Sequence, residues 1–255
     1  MSPNTQRALI TGATAGLGAE FAQQLAAKHY QLVLVARNTE RLEAKAVRLR
    51  QDFGVEVEVI SADLQDQRGI DLVVKRLERT VQPVTTLVNN AGFGLTKSFE
   101  ENTVQEESDH LQLLVTTPML LMHAAIPGML ARGEGKIINV ASVAGFIPRA
   151  SYGACKAWLI SFSRWANVHY SARGVGVTAV CPGFVHTEFH QRMNASTSGI
   201  PNWMWLNPDR VVREGLADAA AGKSVSVPSK RYKALTFFSK FSSDKLGAFA
   251  GKRGR

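Results

Sequence analysis

Short apolar runs alternate with segments of helical periodicity along most of the chain. Strand-like runs occur at 7–11 (RALIT), 32–36 (LVLVA), 55–60 (VEVEVI), 86–90 (TLVNN), 136–141 (KIINVA), 175–180 (VGVTAV) and 224–227 (SVSV). Between them, segments such as 19–30 (AEFAQQLAAKHY) and 39–53 (TERLEAKAVRLRQDF) carry apolar residues at helical spacing. This alternation predicts an α/β fold with a mostly or wholly parallel, seven-stranded, doubly wound sheet, helices on both faces and right-handed crossovers. The most apolar stretch, 113–130 (LLVTTPMLLMHAAIPGML), is nearly long enough to span a bilayer. Pro118, His123 and Pro127 interrupt it, and it reads as a buried helix.

The first strand runs into TGATAGLG (11–18), with glycines at 12, 16 and 18, before a helix begins. One glycine suits a tight turn, one the close approach of a pyrophosphate to backbone, and one the packing of helix on sheet. The helix start then offers free N–H groups and partial positive charge to an anion. Gly12, Thr14, Gly16, Leu17 and Gly18 are therefore candidate dinucleotide-binding residues. About 20 residues further on, a carboxylate would favour NAD(H) and an arginine NADP(H). The chain reads LVLVARNTE there, and Arg37 argues for NADP(H) over NAD(H), because a guanidinium clamps a 2′-phosphate that a carboxylate repels.

Length and composition narrow the class. The 255 residues suffice for one large domain with a real core, and 45% hydrophobic with 20% charged residues is ordinary for a soluble protein. The N-terminal MSPNTQRALITG has no secretory pattern. Cys155 and Cys181 match no metal spacing and no disulfide framework, so a reducing, cytoplasmic setting is expected, with no metal site. The net charge is +9, much of it after Ser229, so residues 229–255 read as a basic tail behind a 1–228 catalytic domain. That tail suits a solvated terminus or peripheral contact with an anionic membrane; nucleic-acid binding has only the net charge behind it.

In SYGACKAWL (151–159), Tyr152 and Lys156 stand four apart and would share one helix face. A Tyr-x-x-x-Lys arises by chance in about one chain in three of this length, so the pair decides little by itself. Its context is more specific. TGATAGLG, ADL (62–64), NNAG (89–92), Ser142 in NVASVAG, YGACK (152–156) and PGFVHTEF (182–189) follow one another in order. Together they resemble the short-chain dehydrogenase/reductase family over roughly residues 5–227, which implies a single Rossmann-type domain. The resemblance implies that Asp63 and Leu64 lie by the adenine, and that Asn89, Ala91 and Gly92 floor the cofactor groove. It places Pro182, Gly183, Val185 and Thr187 at the nicotinamide end. Tyr152 would be the general acid in reduction, Lys156 would hold the ribose and favour the phenolate, and Ser142 would bind the substrate carbonyl.

Two departures from the family pattern stand out. Leu114 occupies the place where the family commonly carries an asparagine that helps hold a water, and Ser142 and Tyr152 are ten residues apart, closer than is usual in the family. His123, His186 and His190 read as core or surface residues rather than metal ligands, and Cys155 as a packed thiol facing away from the pair. The segment 190–208, with Met193, Trp203, Met204 and Trp205, suits a mobile apolar cover or a subunit interface. The expectation is an NADP(H)-dependent oxidoreductase that interconverts a carbonyl and a secondary alcohol on a moderately hydrophobic small molecule, as a homodimer or homotetramer. The alternative is a catalytically weak, dinucleotide-binding, redox-sensing regulator.

Overall fold

In β1 (Arg7–Thr11) all five residues are buried, and alternate side chains enter opposite layers. Ala8 and Ile10 join Phe21, Leu25, Leu34, Leu42 and Val212 on one face of the sheet. Leu9 joins Ile70, Val73, Leu87, Leu121 and Val177 on the other. This period-two division of an almost wholly apolar strand is what a parallel sheet covered on both faces requires. Each fully buried Leu, Ile or Phe removed from water contributes roughly 1.5–3 kcal/mol to this core.

The computed structural model describes residues 6–189 and 199–239. After β1 come α1 (Gly16–Ala26), β2 (Gln31–Ala36), α2 (Thr39–Phe53), β3 (Val57–Ser61), α3 (Gln67–Leu77) and β4 (Thr86–Asn89). Then follow α4 (Val104–Leu111), a π-helical turn (Gln112–Thr116), α5 (Thr117–Arg132), β5 (Gly135–Val140), α6 (Ala150–Tyr170), β6 (Val175–Val180), α7 (Pro208–Ala220), β7 (Val225–Ser226) and α8 (Lys230–Ser239). The seven strands are all parallel and lie in the order β3-β2-β1-β4-β5-β6-β7. The strand order therefore reverses between β1 and β4, and the crevice at the carboxyl ends of these two strands is where such a fold binds ligands.

The sheet, its direction and its strand number match the expectation, with local differences. Helix α1 ends at Ala26, not at Tyr30. His29 takes a left-handed φ of 60°, its N–H bonds the Ala26 carbonyl and the Tyr30 N–H bonds the Leu25 carbonyl, which closes the helix as a Schellman motif. Strand β3 starts at Val57, where pairing with Leu32 begins. Strand β7 is only two residues long. The stretch Val104–Arg132 is long and apolar enough to cross a membrane by length and composition. Its α5 part instead buries Leu121, Met122, Ala125 and Met129 against the sheet.

Residues 229–239, the start of the expected tail, are part of the folded body. Tyr232 is buried; its hydroxyl accepts from the Phe184 N–H at 3.1 Å and donates to the Met204 carbonyl at 2.8 Å. Residues 240–255 lie outside the described residues, as do His190 and Met193.

Candidate active site

The glycine turn is built as the sequence suggests. The Gly12 N–H bonds the Val35 carbonyl at 2.8 Å, and Gly12 and Gly16 have φ of +67° and +55°, which a side chain disfavours. A Cβ on Gly18 would lie 2.2 Å from the Gly12 carbonyl oxygen, so only glycine lets α1 pack on its own turn. Ala15 stands at the N-cap of α1, where it has no side chain with which to bond the free N–H groups of the first turn. No acidic residue follows in that turn. These donors face the cleft, as a phosphate site requires.

The cleft runs from this turn to α6 and α8, with a volume of about 1130 Å³. Gly12, Thr14, Gly16 and Leu17 form one wall. Arg37, Asp63 and Leu64 lie at one end, with Arg37 3.8 Å from the Asp63 carboxylate. Gly92, Pro182, Gly183, Val185 and Thr187 line the other side. Thr187 closes over the glycine turn, where a Cβ on Gly16 would lie 3.3 Å from the Thr187 Cβ.

Three of the expected cofactor residues do not line the cleft. Gly18 serves packing, as just described. Asn89, the last residue of β4, is buried in the sheet, where its Nδ2 donates to Asn139 Oδ1 at 2.9 Å, and the alternation of the strand turns the next residue the other way. Its neighbour Asn90 lines the cleft instead, and its Nδ2 donates to the Thr11 carbonyl at 2.8 Å and the Gly12 carbonyl at 3.3 Å. Ala91 lies beneath the turn, its N–H bonded to Thr11 Oγ1 at 3.0 Å. Asn38 and Arg41 also line the cleft near Arg37. The signal for Arg41 was its place in the first turn of α2, immediately after the Arg37 loop.

Ser142, Tyr152 and Lys156 meet in the same cleft. Ser142 follows β5; its hydroxyl accepts from the Ala144 N–H at 3.1 Å and stands near enough to the Tyr152 phenol to favour its ionised form. The short Ser–Tyr spacing closes because residues Val143–Phe146 form a 3-10 turn that lies directly on α6. A Cβ on Gly145 would come within 2.8 Å of the Lys156 and Ala157 backbone. Lys156 Nζ donates to the Val140 carbonyl at 2.8 Å and lies 5.7 Å from the Tyr152 ring centre.

Burial dominates the protonation of both groups. The Tyr152 phenol is pushed above its ordinary value by burial, while the Ser142 hydroxyl and the Arg149 guanidinium pull it down. The Lys156 ammonium is pushed down to about 8 by burial. The Arg149 guanidinium is thus a cation on the cleft lining that favours the phenolate. Cys155 is buried and free, and burial pushes its thiol up.

Leu114 is 1% exposed and sits in the π turn. Its Cδ2 would lie 2.8 Å from a Cβ on Gly92, so it walls the cleft with hydrocarbon where a polar side chain was expected from the family pattern. Glu107, Phe93, Arg149, Phe189, Tyr232 and Leu235 complete the lining near Tyr152 and α8. Of the expected cover, Met204 lines the cleft; Trp203 is exposed, and Trp205 stacks on His186 at 4.7 Å.

Comparison with known proteins agrees with this construction. The family model described as short chain dehydrogenase matches residues 6–198. The chain is 37% identical over 192 residues to sulfoacetaldehyde reductase of Chromohalobacter salexigens, covering 72% of this chain and 74% of that one. It is 29% identical over 206 residues to human inactive hydroxysteroid dehydrogenase-like protein 1, covering 79% of this chain but 61% of that relative's length. Among solved structures, a short-chain dehydrogenase from Sphingobium yanoikuyae in complex with NADPH superposes with a TM-score of 0.84 at 32% identity, covering 92% of this chain and 94% of that one. With the glycine turn, the parallel sheet and the Ser–Tyr–Lys cleft already in place, the match over three quarters of its length makes this chain a member of the short-chain dehydrogenase family of oxidoreductases.

Proposed function

We propose that the protein is an NADP(H)-dependent oxidoreductase that interconverts a carbonyl and a secondary alcohol on a moderately hydrophobic small molecule. One observation carries this reading: Ser142, Tyr152 and Lys156 line a single cleft whose far end presents Arg37 and Arg41. The glycine turn fits a nicotinamide dinucleotide, because the uncapped first-turn N–H groups of α1 stand beside Gly12 and Gly16 on the cleft lining, and both glycines take a positive φ that a side chain disfavours. The Sphingobium relative, solved with NADPH, supports the same fit.

Such a cofactor supplies a hydride when bound. In reduction, Tyr152 gives its phenolic proton to the carbonyl oxygen, and its raised pKa keeps that proton in place at neutral pH. Ser142, which lines the cleft beside Tyr152, donates to the developing alkoxide. Lys156, held by the Val140 carbonyl near the Tyr152 ring, would bind the ribose hydroxyls of such a cofactor. Asp63 and Leu64 serve the adenine end, and Val185 and Thr187 the nicotinamide amide. Met204, Leu235 and Phe238 make the substrate side apolar.

Trp158, Phe162, Trp165 and His169 stack in succession along one side of α6, with Trp165 half exposed. This stripe supports a homodimer or homotetramer. The buried free thiols suit a reducing cytoplasm. The exposed Phe237 and Phe238 of α8, beside Lys230, Arg231 and Lys233, suit peripheral contact with an anionic membrane.

A second reading, a cofactor-binding regulator with little catalysis, is favoured by the apolar wall at Leu114 and by the inactive human relative. Titration with NADPH and NADH, followed by a carbonyl panel read by NADPH consumption, tests the first reading. Tight NADPH binding with turnover supports the reductase; tight binding with no turnover on any carbonyl supports the regulator; binding of neither cofactor removes both.

A further inference from the structure

His110 is a fully buried titratable side chain beside the cleft, with 0% exposure, and the reaction as described above does not use it. It stands at the end of α4, one turn before Leu114. Its ring stacks on the Tyr152 ring, with centres 6.1 Å apart and planes 27° from parallel, and meets the edge of Phe93 at 5.3 Å. Among the described residues neither ring nitrogen reaches hydrogen-bond geometry with a partner, although the Phe93 backbone lies close enough to one of them to favour its proton. A buried polar ring with both nitrogens unsatisfied is costly, and a phenylalanine or leucine would fill this space without that cost.

We propose that His110 is a positioning residue of the reduction centre: its uncharged imidazole backs the Tyr152 phenol, fixes that ring toward Ser142, and provides on this face of the α4 helix the polar group that Leu114 cannot. This rests on the reductase reading. The groups around it set its charge. Burial opposes a proton on His110, Lys156 from α6 opposes it further, and Glu107 from its own helix favours it, leaving the imidazole below its ordinary value and neutral near pH 7. Tyr152 faces it from α6 as an uncharged group, since burial raises its phenol. As pH falls, protonation puts a second cation in the wall that holds Lys156, and the phenol loses its neutral support.

The test uses the NADPH-bound enzyme with a carbonyl substrate from the panel. His110→Leu and His110→Phe should lower kcat by about 10- to 100-fold, the scale of a misplaced catalytic group, with NADPH affinity unchanged. Both should also lose the acid limb that His110 gives the wild-type kcat/KM profile. If His110→Phe restores wild-type kcat and keeps the acid limb, the ring is mere packing and the proposal is wrong. A second measurement needs no turnover: NMR titration of the His110 ring, assigned by its loss in His110→Leu. It should titrate below the ordinary histidine value, higher in Lys156→Met and lower in Glu107→Gln. An ordinary titration that ignores both substitutions overturns the proposal. A wild type that binds NADPH but reduces no carbonyl sinks the reductase reading and with it the assigned role, whereas a normal turnover with unchanged variants sinks the His110 role alone.

Discussion

Arg41 holds Glu188 across the mouth of the cleft, one guanidinium nitrogen lying 3.1 Å from Oε1 and 3.2 Å from Oε2. The pair joins the start of α2 to the segment that follows β6, and both side chains are about half exposed. The same Arg41 stands with Arg37 at the end of the cleft expected to receive a 2′-phosphate.

The two uses of Arg41 compete, and magnitudes decide between them. An exposed ion pair contributes about 0–1 kcal/mol, whereas a charge-assisted bond to phosphate contributes about 1.5–3 kcal/mol. Phosphate should therefore win Arg41 from Glu188. Arg41→Ala is expected to weaken NADPH binding about tenfold or more and to leave NADH unchanged; Glu188→Gln should tighten NADPH by up to about fivefold. Equal changes in NADPH and NADH affinity, measured by fluorescence titration, would contradict a phosphate role for this end of the cleft.

Tyr152→Phe removes one hydroxyl and little volume. Carbonyl reduction should fall by about 10²- to 10⁴-fold, the range for loss of a general acid, with NADPH affinity nearly unchanged. Residual activity close to wild type in a single-turnover assay would place the proton donor elsewhere.

Lys156 makes stability depend on pH in a direction fixed by burial. Its folded pKa of about 8 lies below the ordinary 10.5. Between these values the unfolded chain holds a proton that the folded chain has released, so stability from this group rises with pH through the window. Its full stabilising share is present above pH 10.5 and is lost as pH falls through about 8. Buried tyrosines and Cys181, whose thiol is pushed up to about 12, act in the opposite direction. The difference between wild type and Lys156→Met isolates the lysine: in denaturant titrations of the cofactor-free protein, the variant should gain on wild type as pH drops from 10.5 to 8. A constant difference across this range would show that burial does not shift Lys156.

The residues that could be read from sequence are those whose neighbours in the chain are also their neighbours in space. The glycine turn, Arg37 after β2 and the Tyr152–Lys156 face of α6 each depend on one strand end or one helix period. Asn89 and Asn90 show where this stops. Both are asparagines at a strand end, and which one faces the cleft is decided by the pleat of β4 and by the Thr11 carbonyl that Asn90 bonds across the sheet. His110 was hidden because its distinguishing property, burial between two aromatic rings, arises from Phe93 and Tyr152 on other elements. Tyr232 was hidden by composition: it lies in a basic segment that reads as a tail, yet it supports the turn at Gly183, where a Cβ would overlap its ring.

Gly18 gives the sharpest test of the turn as architecture. A Cβ there would sit 2.2 Å from the Gly12 carbonyl oxygen and 2.4 Å from Asn90 Nδ2, and the first of these is backbone that cannot swing aside. Gly18→Ala must push α1 away from the turn, which should cost about 1–3 kcal/mol. In a domain of this size that lowers Tm by roughly 2–4 °C per kcal/mol. The N–H groups of α1 move with the helix, so NADPH affinity should fall with stability. Gly176→Ala is the matched control, because its Cβ would meet nothing closer than Asn167 Oδ1 at 3.9 Å, and it should stay within about 0.5 kcal/mol of wild type. If Gly18→Ala behaves like Gly176→Ala in both melting and NADPH titration, the close approach of α1 to its own turn is not what shapes the phosphate cradle.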